Sequence, residues 1–164
     1  MPASAASARK IDSDATVALR QLYATMPAAR KLARRAKGIL VFPRVVKAGF
    51  FLGAQYGNGA LRRGGRTVGY YRTTAVSYGL QAGAQRFGYA MFFMTNNSLG
   101  YLRRSGGWEA GSAPSVVVFD KGAAGGVSTT SIRKNIYVFF FNQRGLMAGL
   151  GLQGTKITRI TPGR

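Results

Sequence analysis

Residues 60–72 read Ala-Leu-Arg-Arg-Gly-Gly-Arg-Thr-Val-Gly-Tyr-Tyr-Arg. Two strand-like runs, 60–63 and 67–72, flank Gly64-Gly65. A glycine pair supplies the positive φ that a tight hairpin turn needs, so this stretch predicts a β-hairpin. The same texture extends to both sides. Upstream, 39–42 is a short apolar run stopped by Pro43, 45–56 reads as a second strand, and Gly57-Asn58-Gly59 as a turn or bulge. Downstream, 75–85 and 87–94 read as strands around Arg86-Phe87-Gly88. Residues 95–104 read as a short helix, with Thr95 as N-cap and Leu99 and Leu102 facing inward. Further strands are expected at 115–120, 135–142, 146–154 and 156–160.

The amino end reads differently. Asp12, Ser13 and Asp14 offer helix caps, and Ala15, Leu19, Leu22, Tyr23 and Met26 recur at helical spacing up to about Thr25. Pro27 suits the first turn of a second helix. There Ala29, Leu32, Ala33 and Ala36 form a narrow apolar stripe, cations cover the rest, and Gly38 closes the helix. The expected organisation is a frayed tail over 1–11 and one domain over 12–164, helical at 12–38 and β-rich at 39–160. The expected fold class is mainly β (α+β): a single curved or barrel-like antiparallel β domain with two N-terminal helices. Leu40, Phe42, Leu52, Leu80, Val116, Val118, Leu146 and Leu150 are its expected core. Gly49–Gly53, Gly79–Gly83 and Gly145–Gly149 share one Gly-x-x-x-Gly form. In strands this gives a bare face and an apolar face. It suits close sheet packing, or a groove for an acyl chain or peptide.

Composition narrows the function. The 164 residues hold 24 Lys+Arg, 4 Asp+Glu, no His and no Cys, for a net charge of +20. Without His or Cys, Ser-His-Asp and Cys-His catalysis are excluded, as is zinc bound by the usual ligands. Gly57-Asn-Gly59 and residues 122–126 match neither a P-loop nor a dinucleotide fingerprint. No catalytic set is visible, and no metal or cofactor is implied. No apolar run approaches ~18 residues, and residues 2–8 carry no signal-peptide core. A surface with so few acids repels itself unless it meets an anion. The cations cluster at Arg30, Lys31, Arg34, Arg35 and Lys37, followed by Arg44 and Lys47. A secondary patch is Arg62, Arg63 and Arg66. The partner classes are anionic lipid, an acidic protein surface, or nucleic acid. The last rests on charge alone, because no RNP order or helix-turn-helix pattern is present.

Several blocks then read together: Ala36-Lys-Gly-Ile-Leu-Val-Phe-Pro-Arg-Val-Val-Lys-Ala-Gly-Phe50, Gly69-Tyr-Tyr-Arg72, Ser77-Tyr-Gly-Leu-Gln-Ala-Gly-Ala-Gln85, Pro114-Ser-Val-Val-Val-Phe-Asp-Lys-Gly122, and residues 145–157. In this order they resemble the SYLF domain family, most of all its bacterial, lipoprotein-like branch. The resemblance covers about residues 12–160. It implies a non-catalytic module that binds anionic, phosphoinositide-like lipid at a membrane periphery. Its alternative is a protein-interaction module for actin or an acidic envelope partner, since some fungal members bind actin. It assigns lipid contact to Arg30, Lys31, Arg34, Arg35, Lys37, Arg44 and Lys47. It also implies an exported, periplasmic or outer-membrane-associated bacterial protein, although the lipidated Cys of such relatives is absent.

Overall fold

The computed structural model describes residues 7–49, 52–78, 83–104, 107–109, 116–119, 136–141 and 155–163. Two helices come first, α1 (Ala8–Thr25) and α2 (Pro27–Ala33). Four long strands follow: β1 (Gly38–Gly49), β2 (Leu52–Arg63), β3 (Arg66–Tyr78) and β4 (Gly83–Phe93). Then come α3 (Asn96–Arg103), β5 (Trp108–Glu109), β6 (Val116–Phe119), β7 (Ile136–Phe141) and β8 (Thr155–Ile160). The strands form one sheet in the order β5-β8-β3-β2-β1-β4-β7-β6. Pairing is antiparallel except between β6 and β7. The fold is therefore the expected antiparallel β domain with N-terminal helices. Among the described residues it is an open sheet and not a closed barrel, with β5 and β6 at its edges.

Helix α1 begins earlier than the acidic caps suggested. Ser7 is the N-cap, its Oγ accepting from Lys10 N at 3.1 Å. Ala8 N donates to Gly163 O at 2.7 Å, so the far end of the chain fixes this start. The expected tail over 1–11 is corrected accordingly: residues 8–11 are helical. Ile11, Ala15, Ala18, Leu19 and Leu22 make the buried stripe. Met26 is extended, as a residue before proline prefers, and Pro27 opens α2.

At seven residues α2 is too short to hold itself. Ala28, Ala29 and Leu32 are buried and anchor it, and Leu32 alone supplies about 1.5–3 kcal/mol of burial. It stops at Ala33, short of the expected Gly38. Lys37 N is drawn to Phe93 O (2.7 Å), and Gly38 already pairs with Phe93 in the sheet.

Pro43 does not end a strand. Strand β1 passes through it with one extra residue: Val41 pairs Ala60 and Arg44 pairs Asn58, while Phe42 pairs Tyr89 and Val45 pairs Phe87. Proline lacks the ladder N–H, and a bulge is where a central strand tolerates it. Gly57-Asn58-Gly59 lies inside β2, facing that bulge. Arg86-Phe87-Gly88, expected where two strands meet, lies in the interior of β4. The Gly64-Gly65 hairpin is as expected, with φ of 60° and 81°. So is α3, capped by Thr95, whose Oγ1 accepts from Ser98 N at 3.1 Å.

The sheet separates two cores. One face packs Leu40, Phe42, Val45, Leu61, Tyr71, Phe87, Tyr89, Met91 and Phe93 with Leu99 and Leu102 of α3. The other packs Val41, Ala60, Ala90, Phe92, Tyr137 and Phe139 against α1 and α2. Of the expected core, Leu40 and Phe42 are fully buried. Leu80, Leu146, Leu150 and the expected strand over 146–154 lie outside the described residues. Leu52, Val116 and Val118 are placed by backbone alone. Gly49, Gly53 and Gly83 form one cross-strand row. The expected bare face is thus a feature of pairing between strands as well as of alternation within one.

Candidate cationic interaction surface

Helix α2 lies on the sheet with its cations outward. Arg30 and Lys31 in the helix, Arg34 at its C-cap, and Arg35 and Lys37 in the turn to β1 are all exposed. The fixed point of this array is Arg30, whose Nη2 donates to Tyr23 O at 3.4 Å. Because the apolar stripe of α2 is spent on the core, the helix has no second apolar face to offer. What it presents is charge.

The hairpin patch meets this set. Ile39 pairs with Arg62, and Arg63 Nε donates to the Lys37 carbonyl at 3.2 Å. Arg66 pairs with Arg63 across the turn and is exposed. Two clusters that are separate in sequence are therefore neighbours in space. Arg62 departs from them. Its Nη2 donates to Asp12 O and to Thr16 Oγ1, both at 2.9 Å, and it lies 4.0 Å from Asp12 Oδ1. Its side chain is only 15% exposed, so it fastens β2 to α1 and does not face a partner. Asp12 also accepts from Thr67 Oγ1 at 2.7 Å and from Tyr70 OH at 2.6 Å. Burial, joined by that hydrogen bond and the nearby carboxylate charge, pushes the Tyr70 phenol up to about 12.

The second ion pair among the described side chains is Lys10–Asp14 at 3.1 Å. Both acids of α1 are thus engaged within α1 or with the strands beneath it. Neither reaches the cations of α2.

Arg44 stands apart from the α2 group, on the stretch of sheet that follows the bulge. It is exposed and lies on the same side of the sheet as the helices. Its row runs Arg44, Asn58, Arg72, Thr158; the next runs Arg86, Val46, Tyr56, Thr74, Lys156. Lys47 occupies β1 between Gln55 and Gln85, placed by backbone alone. Sequence reasoning missed Arg72, Arg86 and Tyr56, because only the cross-strand register brings them to Arg44. The alternation Tyr56/Asn58 and Arg72/Thr74 was a usable signal. Not all the charge gathers on this side: Arg103 and Arg104 end α3 on the opposite face, where Arg104 stacks 3.8 Å from the Tyr101 ring centroid.

Residues 74–161, more than half of the chain, match the Ysc84 family, described as "Las17-binding protein actin regulator". The chain belongs to that family. This is the SYLF family that the motifs resemble. In this Ysc84 chain the matched stretch runs from the middle of β3 through β8, and it includes Arg86 and Lys156. Helix α2 and Arg44 precede it. No curated protein matches the chain.

Proposed function

We propose that this Ysc84 domain is a non-catalytic module that binds an acidic protein surface of the actin-filament class through the cations of α2 and the adjoining hairpin. The observation that carries this reading is the outward array of Arg30, Lys31, Arg34, Arg35, Lys37 and Arg63, with both acids of α1 occupied elsewhere. The family description supports it, because it names a protein, Las17, as what is bound and actin regulation as the role. Such a patch accelerates encounter and fixes orientation, and its effect fades with salt.

Adsorption to anionic lipid is the second reading, favoured by the same charges. Each cation near an anionic bilayer contributes about 1 kcal/mol. With Ala28, Ala29 and Leu32 buried, that adsorption is electrostatic and lacks helix insertion. Cosedimentation with actin filaments separates the readings, with flotation on phosphatidylserine vesicles as the parallel arm. The chain should pellet with filaments at low salt. The Arg34→Glu, Arg35→Glu double variant should keep its melting temperature and bind at least about fivefold more weakly. Filament binding untouched by the double variant would overturn the assignment to α2. Flotation without pelleting would replace the protein partner by lipid.

A further inference from the structure

The sheet beyond the helices carries a second surface with the anatomy of a protein interface. Val46 and Tyr56 are cross-strand partners, 43% and 48% exposed. They are two of the four large hydrophobics that the described residues leave exposed, and the only two that adjoin as partners in the sheet. Cations adjoin them: Arg86 stands at one end of their row, Arg44 and Arg72 in the row beside it, and on the other side the row continues through Thr74 and Lys156 to Glu109 of β5. Arg72 is already oriented. Its Nε donates to Asn58 Oδ1 at 3.1 Å, and its guanidinium lies 4.9 Å from the Tyr56 ring centroid, which leaves both Nη groups for a carboxylate. Next to Val46 the bulge opens a groove of about 510 Å3, lined by Pro43, Arg44, Val45, Val46, Arg86 and Phe87.

We propose that this face docks an acidic protein segment centred on one bulky apolar side chain. The apolar side chain enters the groove beside Val46, and flanking carboxylates meet Arg44, Arg86 and Arg72. This deepens the reading of the domain as a protein-binding module and rests on it, while assigning a surface separate from α2. Three observations select this occupant. An apolar centre within a polar rim, rich in Tyr and Arg, is the composition of protein-protein hot spots. The site is concave, whereas a bilayer is met by apolar groups that protrude. And Arg86, Arg44 and Arg72 span four adjacent strands, about 14 Å, wider than one phosphate or carboxylate. From Arg86 to Arg72 the sheet spans three strand intervals across and one row along, about 16 Å. That is within about 3 Å of the ~13.6 Å between the first and fifth residues of an extended chain.

The test uses the full chain and two labelled peptides, Glu-Asp-Phe-Asp-Glu and Glu-Asp-Ser-Asp-Glu, followed by fluorescence anisotropy at about 0.15 M salt. The phenylalanine peptide should bind about tenfold more tightly than the serine peptide. Arg86→Glu should weaken it by about tenfold, and Val46→Thr should narrow the difference between the peptides. The Arg34→Glu, Arg35→Glu variant should change its affinity by less than about twofold. Arg86→Gln serves as the charge-neutral check if the reversal disturbs folding. Equal affinity for both peptides, or indifference to both Arg86 variants, overturns the proposal. So does displacement of the peptide by phosphatidylserine vesicles or by duplex DNA at lower concentration than by unlabelled peptide. Filament binding with no peptide preference removes this surface alone. Peptide preference without filament binding removes the actin-class partner and keeps the surface.

Discussion

Replacing Asp12 by alanine tests the packing of α1 on the sheet. The carboxylate accepts from two hydroxyls, Thr67 Oγ1 and Tyr70 OH, and sits 4.0 Å from Arg62 Nη2. Hydrogen bonds to a charged group are worth about 1.5–3 kcal/mol each when removed. The Asp12 side chain is 36% exposed, so the lower bound applies, and the loose ion pair adds at most a fraction of a kcal/mol. Alanine returns roughly 0.5 kcal/mol as the better helix former. The net loss is about 2.5 kcal/mol, a fall in melting temperature of about 5–10 °C for a domain of this size. Circular dichroism melts of Asp12→Ala, Tyr70→Phe and Thr67→Val measure it, and each partner variant should account for roughly half. Anisotropy with the acidic peptide should not change. A melt within about 1 °C of the parent, or Tyr70→Phe costing more than Asp12→Ala, would refute the assignment of this carboxylate as the fastener between α1 and the hairpin.

Three further outcomes concern Tyr70 and two glycines. The Tyr70 phenol is raised from 10 to about 12 in the folded chain, so its stabilisation is complete below pH 10 and is lost as pH climbs toward 12. Alkaline unfolding titrations should show a shallower loss for Tyr70→Phe, and identical slopes would count against the Asp12 bond. Gly88→Ala places a Cβ 2.5 Å from the Phe141 ring, 2.8 Å from Pro43 O and 2.9 Å from Phe42 O, and should cost about 1–3 kcal/mol by denaturant melt. Gly100→Ala in α3 meets nothing within 4 Å and should stabilise by about 1 kcal/mol, so a common sign for the two would refute the reasoning.

What was legible in the sequence was local. The helical spacing of Ala15, Leu19 and Leu22, the Gly64-Gly65 turn and the Thr95 cap each depend on residues a few positions apart, and each is present. The misreadings depend on distant partners. Ser7 caps α1 in a structure where Gly163 holds the next amide, a contact between the two ends of the chain. The expected junction of two strands at Arg86-Phe87-Gly88 is strand interior, and Gly88 is small because Phe141 and the bulge carbonyls crowd it. Arg62 reads like its neighbour Arg63, and only Asp12, fifty positions earlier, separates a fastener from a free cation. The α2 cations were visible because one short helix collects them. The sheet-face group was not, because its members come from four strands whose register no short window contains.

The bulge at Pro43 governs how β1 tolerates change in length. Loss of Pro43 would leave Phe42 inward and Arg44 outward, and the ladder would simply heal. Loss of any single residue between Arg44 and Gly49 would invert the strand beyond it, exchanging outward for inward positions across both neighbouring strands. The proline also forbids the slipped alignment in which Arg44 enters the core, since that alignment would demand an amide hydrogen it lacks. Among related chains, a one-residue gap in this strand should therefore fall at the proline or nowhere.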